Sequence, residues 1–296
     1  MTVRMLSALG LAAAAAVVAA ACAPGGAPPV SLARRPIING SVDAAHPSVV
    51  ALVFEGKQFC TGTVIAPRAI LSAGHCLVEM GQTPGFLPTK TTIFFGTTVG
   101  DASGREIAVT AAHAHPQYAV RDDGAPLNDV SVWAMAEDAP APAVAWQGTA
   151  LGPITGHSLT LVGYGVTDAA QQTGNGTRRV VTDTVSDQDD TFLYYGNGAS
   201  GMCQGDSGGP LFATQGGAET LVGVCSYGDV TCVALGAGTR VDAYAPFIRQ
   251  YADAAGAPAA CTVGSPDQAG GARGGVGWAL ALLLLAHARG RRRRAG

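Results

Sequence analysis

Paired Cys-x-x-Cys spacings, basic clusters in the body of the chain and long amphipathic helical patterns are all missing from this sequence. The first absence argues against the usual zinc-binding arrangements. The second argues against nucleic-acid binding, because phosphate contact needs clustered Lys and Arg. Residues 37–262 hold nine Lys and Arg against twenty Asp and Glu, a net charge near −11, whereas the whole chain stands at −3. The third points away from helical bundles. Charged residues make up only 13% and aromatic residues 6% of the chain. What is present is 296 residues, 48% hydrophobic, with 41 Gly and 17 Pro. That length supplies a sizeable core in one domain or two sub-domains.

Both ends read as addressing segments. Residues 1–23 start with Arg4, run through Ala, Leu and Val and reach Ala21-Cys22-Ala23, the layout of a secretory signal peptide. Ala19-Ala20-Ala21-Cys22 also fits a lipoprotein signal loosely, with lipidation of Cys22 and a retained membrane helix as alternatives. At the other end a Gly-rich linker (256–275) precedes "WALALLLLAHA" and an Arg cluster, together 276–296. Val276 to Ala286 is eleven residues, short of the roughly 17–25 that a spanning helix needs. The layout resembles bacterial C-terminal sorting signals, and a plain membrane tether is the alternative. Either reading places the body outside the cytoplasm, secreted or on the cell envelope, with membrane contact only through the terminal segments. Export makes disulfides permissible among the seven Cys.

From Ile37 onward, short apolar or alternating runs are punctuated by Gly and Pro: "SVVALVF", "TTIFFG", "SLTLVGYG", "PLFAT" and "TLVGVCSYG" among them. Many short strands with almost no helix predict an all-β fold. The exception is "APFIRQYADAAG", with Pro246 in the first turn and Gly256 past the last. The Pro/Ala-rich stretch 136–148 is the best internal linker and divides the body into halves of about 37–138 and 147–255.

Three segments carry chemistry together: "SAGHC" with His75 before Cys76, "NDVSVW" with Asp129 opening an apolar strand, and "CQGDSGGP" with Ser207 among glycines. A serine hydroxyl needs a base to take its proton, and the base needs a third group to fix its tautomer. Singly, each residue has a blander account as a structural histidine, a strand cap or a turn. Gly205 to Gly209 also satisfies the G-x-S-x-G elbow of α/β-hydrolases, but that fold needs its histidine after the serine. The only later His is His287, in the tail.

The order His75, Asp129, Ser207 resembles that of the chymotrypsin/trypsin family of serine proteases. "IINGSVDAAHP" is similar to that family's mature N-terminus, "LVGYGV" to its Gly-aromatic-Gly turn, and "GTRVDAYAPFI" to its last strand and terminal helix. The resemblance implies two six-stranded antiparallel β-barrels with a short C-terminal helix and a cleft between them. It implies that Ser207 attacks a peptide carbonyl, that His75 relays the proton and that Asp129 orients His75. Backbone N–H groups of Gly205 and Ser207 would stabilise the oxyanion, at about 3–4 kcal/mol each. Ser226, Tyr227 and Gly228 would pair with the substrate backbone. Disulfides Cys60–Cys76 and Cys203–Cys232 follow from the same resemblance. Cys225 is expected as a buried thiol, with Cys261 as the alternative partner. No cofactor or metal is implied, and the protein is expected to be a monomer acting on polypeptides.

Two departures stand out. Ile37 and Asp206 match the family's activation pair, which implies an activating protease that releases a propeptide-like segment, 24–36. Yet Pro36 precedes Ile37 and the basic pair Arg34-Arg35 lies one residue early. The pocket floor, an Asp in trypsin-like members, is Gly201 here. Burying a cation with no partner costs several kcal/mol, so cleavage after Arg or Lys is not expected. Met202 adds an apolar wall, and Gly228 and Gly236 leave the pocket open, which predicts cleavage after large or medium apolar residues. A catalytically silent homologue that binds partners through the same cleft is the alternative function.

Overall fold

The computed structural model describes residues 37–82 and 87–256. The expected leader, propeptide-like segment, linker and Arg-rich tail, with Cys22 and Cys261, lie outside the described residues. In chain order the strands of the first half are β1 (Ser41–Val42), β2 (Val49–Phe54), β3 (Lys57–Ala66), β4 (Ala69–Ser72), β5 (Thr91–Phe95), β6 (Arg105–Ala114), β7 (Ala119–Val120), β8 (Pro126–Leu127) and β9 (Ser131–Met135), with helix α1 (Gly74–Val78) after β4. The second half contributes β10 (Ser158–Gly163), β11 (Arg179–Gln188), β12 (Phe192–Tyr195), β13 (Pro210–Gln215), β14 (Ala218–Gly228), β15 (Gly236–Arg240) and helix α2 (Ala245–Gly256).

Strands β2, β3, β4, β9, β6 and β5 close into one antiparallel barrel. Strands β11, β10, β13, β14, β15 and β12 form the second, closed by the pairing of β12 with β11. Both barrels are therefore six-stranded, as the resemblance implies. The tight hairpins have an evident cause. Glu55 and Gly56 turn β2 into β3 with φ of 51° and 73°, and Gly216 and Gly217 turn β13 into β14 with φ of 57° and 89°. Two successive positive φ values match the right-handed twist of the strands they join. Register shifts that leave extra residues in β3, β11 and β14 mark bulges that bend the sheets toward closure.

The ends of the chain cross over between barrels. β1, which belongs by sequence to the first half, pairs with β11 of the second barrel, Ser41 opposite Val180. α2, at the end of the second half, packs Phe247, Ile248 and Ala252 into the core that holds Trp133 and Ile70 of the first barrel. Tyr164, from the Gly-aromatic-Gly turn, is fully buried. Its hydroxyl donates toward the carbonyls of Val49 (3.1 Å) and Gly96 (2.5 Å) of the first barrel. Buried Arg178 reaches the same two carbonyls and pairs with Asp43 at 3.0 Å. Among the described residues, no helix is long and apolar enough to cross a membrane.

Candidate active site

The site begins with register. Strand β4 pairs with β9 so that Ser72 faces Ser131, which lays the segments after Ser72 and before Ser131 side by side. Ser131 Oγ donates to Ala73 O at 2.6 Å and fixes the two segments together. Gly74 allows this close approach, since a Cβ would lie 3.1 Å from Val130 N and the Tyr118 ring. Asn128, at φ 52°, turns the chain so that Asp129 points inward. The Asp129 carboxylate is fully buried. It accepts hydrogen bonds from His75 Nδ1 (2.8 Å), from the His75 backbone N–H (2.7 Å) and from Ser226 Oγ (2.6 Å). An acceptor at Nδ1 holds the proton there and makes Nε2 the basic nitrogen of the ring.

Ser207 sits in a loop whose conformation belongs to glycine. Gly205 and Gly208 have φ of 92° and 83°, left-handed values that side chains resist. A Cβ on Gly208 would also lie 2.0 Å from Ser72 Oγ and 2.3 Å from Thr61 O. The loop docks onto the first barrel through Thr61. Its N–H donates to Ser207 O at 2.8 Å, and its Oγ1 donates to Gly205 O at 2.8 Å. Gln58 Nε2 supports the same Gly205 carbonyl at 2.7 Å. The Cys60–Cys76 disulfide lies alongside, with Cys76 Sγ 3.6 Å from Ser207 O. Cys203–Cys232 is also bonded, and Cys225 is a buried free thiol. Cys60, His75 and Cys76 place potential ligand atoms within 4.8 Å of one another, but the two sulfurs are bonded to each other and offer no thiolate pair.

Asp206 is fully buried. Burial pushes its carboxyl up to about 7, against backbone N–H groups of Cys203, Gly165 and Ile37 that favour the ionised form. Ile37 is itself buried, and the next residue, Ile38, bonds through its N–H to Gly201 O at 2.9 Å. The expected pair Ile37 and Asp206 is thus brought together with Gly201.

One of the expected pocket residues is placed otherwise than the sequence implies. Gly201 is hemmed in by backbone: a Cβ there would lie 2.1 Å from Cys232 O. Met202 is buried beside Cys225 and Ile37 in the second core. Gly228 faces Gly236 across β14 and β15. Gly236 does not leave the pocket open: a Cβ there would lie 2.2–2.9 Å from the Tyr195 ring, which occupies that space. Sequence reasoning missed Tyr195, Thr61 and Gln58. It also assigned Ser226 only a backbone role, whereas its hydroxyl is spent on Asp129. The Gly-x-Gly of "GAGTR", facing an aromatic strand, was the available signal for Tyr195. Beside Gly205 lies a cavity of about 540 Å³ lined by Lys57, Gln58, Phe59 and Gln204.

Two closed antiparallel barrels, joined through Thr61 and carrying a buried Asp129–His75 pair near the Ser207 loop, define a class of two-barrel all-β proteins. Residues 37–248 match the Trypsin family model, and the chain belongs to that family. It is 30% identical over 199 residues to a trypsin of Saccharopolyspora erythraea, covering 62% of this chain and 82% of the relative. Trypsin CFT-1 of Choristoneura fumiferana is 27% identical over 244 residues, covering 73% and 91%. Serine protease 56 of Homo sapiens is 30% identical over 219 residues, covering 68% and 36%.

Proposed function

We propose that this protein is an exported serine endopeptidase that hydrolyses peptide bonds through an acyl-enzyme, after apolar residues. The observation that carries the proposal is the Asp129 carboxylate, buried and bonded to His75 Nδ1 at 2.8 Å, next to a loop built around Ser207. His75 Nε2 takes the Ser207 proton as Oγ attacks the scissile carbonyl. The N–H groups of Gly205 and Ser207 receive the oxyanion. His75 then returns the proton to the leaving amine as the C–N bond breaks. Water, deprotonated by His75, releases the acyl group. Ser226 to Gly228 offer the edge of β14 to the substrate backbone. No acidic group stands at Gly201 to pair with a cationic side chain, so the names of the curated trypsins do not carry their preference here. Cleavage before Ile37 would free an amine that pairs with Asp206 and orders the loop.

The test is labelling of the purified protein with a serine-reactive phosphonate, with Ser207→Ala as control. Labelling of the wild type alone is expected. A correctly processed protein that takes up no label would reduce the site to a binding cleft.

A further inference from the structure

We infer that Tyr195 is a specificity-determining residue: its ring fills the pocket beside Ser207 and restricts the accepted side chain, on the acyl side of the cleaved bond, to alanine- or valine-sized groups. This rests on the protease reading above and narrows its large-to-medium apolar range.

The argument starts from strand register. β12 pairs with β15 so that Tyr195 faces Gly236, and β15 pairs with β14 so that Gly236 faces Gly228. Tyr195, Gly236 and Gly228 therefore form one row across three strands, and the row ends on the segment proposed to hold the substrate backbone. Along β12 the side chains alternate: Leu193 and Tyr195 are in the second core, while Tyr194 turns outward to bond Asp189 at 2.8 Å. The Tyr195 ring is buried, at 2% exposure. It lies over Gly236 in the volume that a side chain there would have claimed. Its hydroxyl donates to Cys225 Sγ at 3.8 Å. Cys225 immediately precedes Ser226, and its carbonyl and N–H bond to Gly208 and Gly209 at 2.9 and 2.8 Å. The ring thus spans from Gly236 to Cys225 on the strand that flanks the nucleophile loop.

The same two-residue spacing recurs one step along. Gly238 leaves room for Leu211, which a Cβ there would meet at 2.4 Å. The glycines of β15 therefore make space for core side chains entering from neighbouring strands, and ligand space is not what they provide. Met202 is buried in the same cluster and adds an apolar surface there. An incoming benzyl group would have to displace the Tyr195 ring from a packed core, whereas a methyl or isopropyl group stops short of it. One missing or extra methylene in such a pocket changes preference by about 10- to 200-fold.

The experiment separates this inference from the protease reading. Product peptides identical except for a C-terminal Ala, Val or Phe are titrated calorimetrically into the Ser207→Ala protein, which measures the pocket without turnover. Ala or Val is expected to bind at least about tenfold tighter than Phe. Adding Tyr195→Ala should raise Phe affinity by about tenfold or more, while Tyr195→Phe should leave the ranking as it is. Equal or absent binding of the three peptides, tighter Phe binding with Tyr195 intact, or no gain for Phe in a folded Tyr195→Ala variant would each overturn the inference. If that variant does not fold, the ranking on Ser207→Ala alone decides. Phosphonate labelling of the wild type is scored separately: its failure with the ranking intact would remove the protease and keep the pocket.

Discussion

Thr61→Val removes one hydroxyl from the contact between the two barrels and leaves the backbone bonds in place. Thr61 is fully buried. Its Oγ1 donates to Gly205 O at 2.8 Å and accepts from Tyr164 N–H at 3.1 Å, so it links both barrels to the nucleophile loop. The substitution strips Tyr164 N–H of that acceptor, and leaving a buried donor unpaired costs about 1–3 kcal/mol. The second lost bond adds about 1 kcal/mol, softened because Gln58 still supports Gly205 O. Burying one more methyl group returns about 0.8 kcal/mol. The expected net loss is about 1.5–3 kcal/mol, a fall in Tm of roughly 3–12 °C for a domain of this size. Urea unfolding in the Ser207→Ala background measures it without self-digestion. A loss below about 0.5 kcal/mol would show that the hydroxyl carries no contact between the barrels. In the active background kcat should fall with it, since the Gly205 peptide is what the hydroxyl holds.

Asp129→Asn should leave folding nearly intact and lower kcat by about 10⁴, because an amide N–H facing His75 Nδ1 imposes the wrong tautomer; undiminished turnover would refute the assigned role. His46 bonds Asp43 at 2.9 Å and Glu219 at 3.1 Å, and chiefly the bond to Asp43 raises its pKa above 6.5. Its stabilisation is therefore full below pH 6.5 and lost as pH rises through the folded value. His46→Gln should abolish that slope in urea midpoints measured across pH, and an unchanged slope would assign it elsewhere. Asp206 gives two opposite windows. Its carboxyl is raised by burial to about 7, against the amide N–H groups and the Arg179 charge, so a chain with no free amine at Ile37 should lose stability as pH rises from 3.8 toward 7. A chain beginning at Ile37 should instead hold its stability until pH passes the raised value of that amine, above about 8. Identical profiles for the two forms would exclude the pairing.

Much of the fold was legible because its signals are local. Turn glycines, alternating strands, Pro246 at the start of α2 and the order of His75, Asp129 and Ser207 each occupy a few adjacent residues. The crossing of β1 to the second barrel was not legible, since two residues, Ser41 and Val42, carry no signal for a partner 139 positions away at Val180. The hydroxyl of Ser226 was read as incidental to a substrate strand. Only the approach of β14 to Asp129, 97 residues distant, gives it a carboxylate to bond.

By itself, the sequence determined the kinds of chemistry available: a serine among obligatory glycines, a histidine and an aspartate in protease order, cysteines able to bridge, and no charge at Gly201. Those follow from residue identity and short-range conformation. Which empty space remains empty was decided only by tertiary structure. Gly236 reads as an opening in the chain, yet three-strand register sets Tyr195 across it, because close packing fills any volume that a neighbouring strand can reach.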